Sequence, residues 1–428
     1  MLTPTAPGSR TAQTQLDVLV LGMHYPPEHT GNAPYTAGMV AALADAGHRV
    51  RVVTGYPHYP QWAVHDGYTG LRRHEADGPA RVTRVRHPVP SAPSALRRAA
   101  MDATFTAHAA AIGRQGARRP DVVVAVSPVL LTVVAGLRWK KRGRTALGVV
   151  TQDLYSRAVT ETGIASAGAG QAAAKLEGWL LRQADGVAVV HEQFRDGLAG
   201  LGVDRDRVSV IRNWAHVDSA HGERAATRRS LGWGDDEVVV LHAGNMGLKQ
   251  GLENVVDTAR LADERGANVR FVLLGDGNQR TALEERGAGV GRLQFRDPLP
   301  GDHFSDALAA ADVLLVNEAP TVAEMSVPSK LTSYFTAGRP VVAASWERSA
   351  ASAEIRRSGG GVRVDPGSPQ DLLDAVRGLA GDPARIDALA TAGRAYAQQH
   401  LGAAAAHRDY QRWVEGLAAS RASRGRTS

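Results

Sequence analysis

The residues best suited to chemistry lie in the stretch LHAGNMGLKQGLENVV, residues 241–256. An apolar run at 238–241 leads into a loop that holds Gly244, Asn245, Gly247, Lys249 and Gly251. Glycine lets a backbone come close to a ligand, and backbone amides at a following helix start favour phosphate. Lys249 adds a full positive charge. The loop lacks the Gly-Lys-Ser/Thr ending of the ATPase phosphate loop, so a different anion cradle is implied. A second loop, LGDGNQ, carries Gly275 and Gly277 after another apolar run. In VPSKLTSYFTAGRPVVAAS, Pro328 and Ser329 suit a helix start with Ser329 as cap. The amides around Ser329, Lys330 and Leu331 would then face outward, where a helix end contributes about 0.3–1 kcal/mol toward an exposed anion. Two glycine loops and a Ser-Lys helix start point to a phosphate-bearing ligand, although each alone reads equally well as a tight turn or a capped helix.

The first half of the chain offers fewer candidates. Gly31 and Asn32 precede a helical run in YPPEHTGNAPY. Asp153 ends a strand in VVTQDLYSRA, where it would bind or deprotonate a hydroxyl, or else cap the next helix. His24 and His191 also follow strand ends, as acceptor contacts or as ordinary hydrogen-bonding side chains. No His, Asp and Glu set has metal-ligand spacing on a clear helical face, so no metal site and no cofactor are expected.

These loops need a sheet to hold them. LDVLVLG, HRVRVVTG, PDVVVAVS, ALGVVTQD and DGVAVVHE are apolar strands, and helical runs such as 35–46, stopped by Gly47, lie between them. A second cycle follows in DEVVVLHAG, VRFVLLGDG, RLQFRD, ADVLLVNE and GRPVVAAS. Continuous apolar strands alternating with helices predict buried parallel sheets. The reading is α/β: two Rossmann-like domains in tandem, whose ligands bind outside the carboxyl ends of the strands. Boundaries fall at 1–14 for a disordered start, 15–212 and 213–400 for the domains, 401–419 for a terminal helix that ends a helical stretch over about 383–418, and 420–428 for a disordered tail.

Composition limits the rest. The 428 residues suit two or three domains, and 43% hydrophobic with 22% charged is an ordinary globular balance. No cysteine is present, which removes disulfides, thiolate metal sites and a cysteine nucleophile. A net charge of +7 suits an anionic partner, or simply an arginine-rich proteome. Residues 1–14 do not resemble a secretory signal, and the apolar stretch 122–137 is interrupted well short of a roughly 20-residue span. A cytoplasmic protein is expected. No recognition helix or aromatic stacking motif supports nucleic-acid binding.

In this order, YPPEHTGNAPYTAGMVAALADAGHRVRVVT, VIRNWAHVD, HAGNMGLKQGLENVV, VLLGDGNQRTALEE and VPSKLTSYFTAGRPVVA resemble family 4 of the retaining glycosyltransferases. That family has the two-domain GT-B fold, and the likeness runs over about residues 16–415. HYPQW, KQGLENV and PSKLT make it most similar to the bacterial exopolysaccharide transferases of the colanic-acid type. The resemblance implies a UDP- or GDP-linked sugar in the second domain, an acceptor in the first and an interdomain cleft. It implies that the 244–251 loop cradles the donor diphosphate, that Lys249 stabilises the leaving phosphate, that Gly31 abuts the same diphosphate, and that residues 275–277 lie near the nucleotide. It also implies a last helix that crosses back to the first domain, and retention on the front face with the leaving phosphate taking the acceptor proton. That chemistry needs no metal.

The sequence departs from the family pattern in three ways. The family's paired glutamates fall at Met325 and Ser333, with Glu324 one residue off as a sugar contact. Arg212 stands where proline is usual before NW, and TQD replaces the acceptor-domain histidine. The expected acceptor is a saccharide or lipid-linked oligosaccharide. The basic clusters Arg97, Arg98, Arg114, Arg118, Arg119 and Arg138, Lys140, Lys141, Arg142, Arg144 suit an anionic membrane surface or plain solvent. The alternatives are a transferase for a small natural product, a nucleotide-sugar-binding protein without activity, and a sugar-nucleotide epimerase.

Overall fold

The computed structural model describes residues 14–424 apart from 30, 60, 92–93, 113–117, 128–129, 141–143, 155–166, 215–219 and 321–328. The apolar runs become strands of two sheets. The first contains β1 (Asp17–Leu21), β2 (Arg49–Gly55), β3 (Arg72–Asp77), β4 (Ala80–Val85), β5 (Val122–Val126), β6 (Ala146–Thr151), β7 (Gly186–Val189) and β8 (Val208–Val210), in the order β3-β4-β2-β1-β5-β6-β7-β8. Its central pairs are parallel, with Val18 opposite Val50 on one side and Val122 on the other. Such a strand is covered on both faces, and β1 and β5 are buried throughout.

The hairpin β3–β4 is antiparallel. Its outer strand RRHEAD is charged and largely exposed, so it carries no apolar run to read. As an edge strand its charges also discourage pairing with other chains.

The second sheet holds β9 (Val238–Ala243), β10 (Val269–Leu274), β11 (Leu293–Arg296), β12 (Val313–Asn317), β13 (Val341–Ala344) and β14 (Gly361–Val364), in the order β11-β10-β9-β12-β13-β14. Every pair is parallel. Two apolar clusters pack against it. One includes Leu241, Val316, Leu331 and Phe335, and the other Val240, Val256, Phe271 and Leu373.

The chain divides into two units, Met1–Thr151 with Trp179–Ala188 and His407–Ser428, and Gln152–Gly178 with Val189–Ala406. The helical stretch expected as one run over 383–418 is two helices, Pro383–His400 and Ala403–Arg424. The break falls at Leu401 and Gly402, where glycine costs about 1 kcal/mol relative to alanine inside a helix. Residues 420–424, expected in a disordered tail, continue the second helix. Arg421 Nη1 donates to Asp121 Oδ1 at 3.0 Å, which ties that end down. Earlier in the same helix, Gln411 Nε2 donates to the Ala42 carbonyl, and Trp413 and Leu417 cover Gly148 of β6. A Cβ on Gly148 would lie 2.6 Å from the Trp413 ring, so the glycine is what admits this helix.

Candidate functional site

Two glycine loops leave adjacent strands β9 and β10 and lock together through their backbones. Gly244 N–H donates to Leu274 O at 2.8 Å, Met246 N–H to Asp276 O at 2.8 Å, and Gln279 N–H to Met246 O at 3.0 Å. Gly244, Gly275 and Gly277 have φ of 126°, 141° and 158°. A Cβ at Gly275 would lie 2.0 Å from Gly244 O, and one at Gly277 2.4 Å from Met246 O. The second loop therefore needs glycine to seat the first, which is a packing demand from the protein itself. Gln250 Oε1 gathers the Gly247 amide at 3.0 Å and Asn245 Nδ2 at 3.4 Å, leaving Asn245 exposed at the tip.

Two cations belong to this corner. Lys249 sits in the short turn Leu248–Gln250, and among the described residues no hydrogen bond or ion pair engages its ammonium. Its own carbonyl accepts from Ala319 N–H at 2.9 Å, fixing the turn against the end of β12. Lys330 begins the helix Lys330–Ala337 and runs beneath Gly244, where an added Cβ would meet its Cε at 3.0 Å and its Nζ at 3.5 Å. Burial pushes the Lys330 ammonium down to about 8, partly offset by the nearby Glu318 carboxylate. Beside it, burial holds His242 neutral, lowered to about 3, and the Lys330 charge pushes the same way.

The helix itself is positioned by Tyr334, whose hydroxyl lies 2.9 Å from Ala243 N–H, and by the buried Leu331. Ser329 does not cap it through its side chain. Its backbone is already helical, and instead its carbonyl accepts from Thr332 Oγ1 at 2.6 Å. Glu324 and Met325 fall outside the described residues.

Asp153 follows β6. Burial raises its carboxyl to about 6, and the Lys249 charge acts against that rise. The two residues singled out for catalysis are thus within electrostatic reach of each other. Gln152 next to it accepts from Asn213 Nδ2 at 2.9 Å.

His191 is not an open acceptor contact. It is 1% exposed, its Nδ1 accepts from Gln193 N–H at 3.2 Å to start a helix, and its Nε2 meets Glu354 Oε1 at 3.0 Å. Glu354 also binds Arg212 Nη1 at 2.7 Å and the Tyr396 hydroxyl at 2.7 Å. These partners hold its carboxyl low, at about 2, against the opposing effect of burial. Arg212, in place of the usual proline, thus anchors a buried polar network that no local sequence pattern announced.

In the first unit, Gly31 has φ 65° and Asn32 turns its side chain to Ser127 O at 2.9 Å rather than capping the helix Ala33–Asp45. His24 Nδ1 lies 2.7 Å from Glu28 Oε2, and His58 comes within the same cluster. Spacing on helices could not reveal this group, because its members sit in the loops after β1 and β2.

Residues 30–214 match the glycosyl transferase 4-like domain family, and residues 237–382 the glycosyl transferases group 1 family. The putative colanic acid biosynthesis glycosyl transferase WcaI of Escherichia coli K12 is 32% identical over 338 residues, 76% of this chain and 82% of that protein. The chain belongs to the glycosyltransferase 4-like family. Solved glycosyltransferase structures share its fold. Sucrose-phosphate synthase of Thermosynechococcus elongatus aligns with a TM-score of 0.73 at 18% identity, covering 94% of this chain and all of that one. Anabaena HepE in complex with UDP-glucose gives 0.67 at 16% identity, covering 94% and 100%. The fold of this glycosyltransferase is GT-B, with the two parallel sheets described above. No helix among its described residues is long and apolar enough to cross a membrane.

Proposed function

We propose that this glycosyltransferase takes a sugar from a nucleotide-diphosphate sugar, UDP- or GDP-linked, and transfers it to an acceptor hydroxyl with retention of anomeric configuration. The observation that carries the reading is the corner at Gly244. Lys249, whose ammonium is unengaged among the described residues, and the half-buried ammonium of Lys330 flank a loop whose glycine backbone is held rigid by its neighbour. Preorganised positive charge of this kind stabilises a diphosphate most when charge develops on it, as the sugar–phosphate bond breaks.

Lys249 and Lys330 bind the diphosphate, with Gly244, Asn245 and the amides of Ser329 and Leu331 beside them. Gly275 and Gly277 act by shaping the first loop. In the proposed step the bond from the anomeric carbon to the phosphate oxygen breaks. The acceptor oxygen bonds to the same face, and its proton passes to the departing phosphate. Asp153 orients the acceptor hydroxyl. Gly31, Asn32, His24 and Glu324 remain proposed contacts through the family resemblance.

The relative's name, with its place in colanic acid biosynthesis, supports an exopolysaccharide or lipid-linked saccharide as acceptor. Exposed Arg97 and Arg98 make an anionic membrane surface the proposed place of work, whereas Lys140 is ion-paired to Asp185 at 3.2 Å.

The test is proton NMR of the product formed from UDP- and GDP-sugars of known anomeric form with a lipid-linked saccharide acceptor. Product with the donor's configuration is expected. An inverted product, or none with any nucleotide sugar, would overturn the proposal.

A further inference from the structure

In the first sheet the chain leaves β1 for β2 on one side and takes up β5 on the other. The carboxyl end of β1 is therefore a switch point, the place where open parallel sheets bind ligands. The loop after β1 brings His24 and Glu28 there, and the loop after β2 brings Tyr59 and Trp62.

Glu28, only 2% exposed, ties the two loops together. Its Oε1 accepts from the amides of His58 at 2.8 Å and Tyr59 at 2.9 Å, and its Oε2 lies 2.7 Å from His24 Nδ1. Burial would raise this carboxyl, but the His24 bond and the two amides hold it below its ordinary value, so it stays a pure acceptor. A neutral His24 ring then carries its proton on Nδ1 and a lone pair on Nε2. Nε2 makes no hydrogen bond among the described residues, and 18% of the side chain is open to solvent.

Glycines aside, Trp62 alone among the described residues has a positive φ, 53°. Such a backbone is costly for a bulky residue and persists only where the surroundings hold it. Ala63 N–H donates to His58 O at 3.3 Å, and the Arg98 guanidinium carbon lies 4.8 Å from the Trp62 ring centre. Trp62 stands edge-on to Tyr59 with centroids 6.1 Å apart, and Tyr59 edge-on to His24 at 5.8 Å. The Tyr59 and Trp62 rings are half-buried.

We propose that His24, Tyr59 and Trp62 form the subsite for the acceptor sugar, with Glu28 as the positioning residue that fixes them. A pyranose presents apolar C–H groups on its faces and hydroxyls around its edge. Half-open aromatic rings cover the first, and a fixed imidazole nitrogen pairs with the second. His24 Nε2 accepts from a ring hydroxyl other than the reacting one, whose proton passes to the departing phosphate. The inference rests on the saccharide acceptor proposed above and is independent of the donor corner at Gly244.

Saturation-transfer NMR of the full-length protein with methyl glycosides of glucose, galactose, fucose and N-acetylglucosamine tests it. At least one glycoside is expected to take up saturation through its ring C–H protons. Trp62→Ala should weaken that glycoside about tenfold and His24→Ala about two- to tenfold. Trp179→Ala, which removes an exposed tryptophan on another helix, should leave it unchanged. Glu28→Gln keeps an oxygen for the two amides but turns an NH2 group toward His24, which moves the ring proton to Nε2. The ¹⁵N spectrum of the imidazole, taken at about pH 9 where an ordinary histidine is neutral, should show that change of tautomer, with glycoside affinity falling. An unchanged tautomer would overturn the role of Glu28, since a merely structural glutamate would not move it. Wild-type protein that saturates no glycoside, or Trp62→Ala protein with native circular dichroism that binds like wild type, would overturn the subsite. Nucleotide melts on the same samples separate the two readings: glycoside binding without nucleotide binding supports this subsite and overturns the donor corner.

Discussion

In the proposed site, Lys249 and Lys330 would divide the work at the Gly244 corner differently. Lys249 has no hydrogen bond or ion pair among the described residues, so its removal should cost the fold little and the proposed ligand much. A hydrogen bond to a charged group is worth about 1.5–3 kcal/mol, and more when charge grows in the transition state. Lys249→Ala should lower turnover about 10²–10³-fold while leaving the melting temperature within a degree or so. Steady-state kinetics beside a melt checks this, and unchanged turnover would remove Lys249 from the site. Lys330 titrates near 8 in the folded chain against an ordinary value of 10.5. Its ammonium is intact below about 8 and is lost above it, so nucleoside diphosphate affinity should fall between pH 7 and 9. Lys330→Arg should flatten that profile in a calorimetric titration. The effect on stability has the opposite sign. Between about 8 and 10.5 the unfolded chain holds this proton and the folded chain does not, so the contribution of Lys330 to stability rises with pH. Asp153, raised to about 6, is a carboxylate only above that value. Turnover should decline as pH falls through about 6, and Asp153→Asn should abolish that limb of the pH profile.

The elements that carry the site were legible because they are periodic. Strands such as Val122–Val126 and Val313–Asn317 are unbroken apolar runs, and a parallel sheet buried on both faces demands such runs. The hairpin β3–β4 was not legible, since RRHEAD is an exposed edge strand whose sequence follows solvent rather than the core. Among the proposed site residues, the 244–251 loop and Lys330 were singled out from glycine spacing and charge. The demand behind Gly275 and Gly277 could not be read, because it comes from the carbonyls of a loop some thirty residues away. Ser329 holds the N-cap position that its sequence suggests, but its backbone is already helical and its side chain makes no capping bond. Gly275→Ala, with φ 141° and a Cβ 2.0 Å from Gly244 O, should destabilise the chain by on the order of 3 kcal/mol and disturb the first loop. Urea unfolding checks the first effect, and a loss of nucleotide affinity without any change at Lys249 checks the second.

At the scale of the whole molecule, long-range contacts decide what the sequence leaves open. The Glu354 network draws together His191, Arg212 and Tyr396, and the cluster of His24, Glu28 and His58 joins loops from two strands. Both are side-chain meetings across long sequence separations, invisible to spacing along one element. The helix Ala403–Arg424 is a further case, since a glycine in β6 makes room for Trp413. Through all of this the central claim is that the rigid corner at Gly244 holds a nucleoside diphosphate. Thermal melting of the purified protein with UDP, GDP, ADP and their sugar conjugates, run beside Lys249→Ala, tests it most directly. A ligand at about a hundred times its dissociation constant stabilises by roughly 2.7 kcal/mol, a shift of several degrees. The account predicts such a shift with UDP or GDP and its loss in the variant. No shift with any nucleotide, or an equal shift in Lys249→Ala, would contradict it.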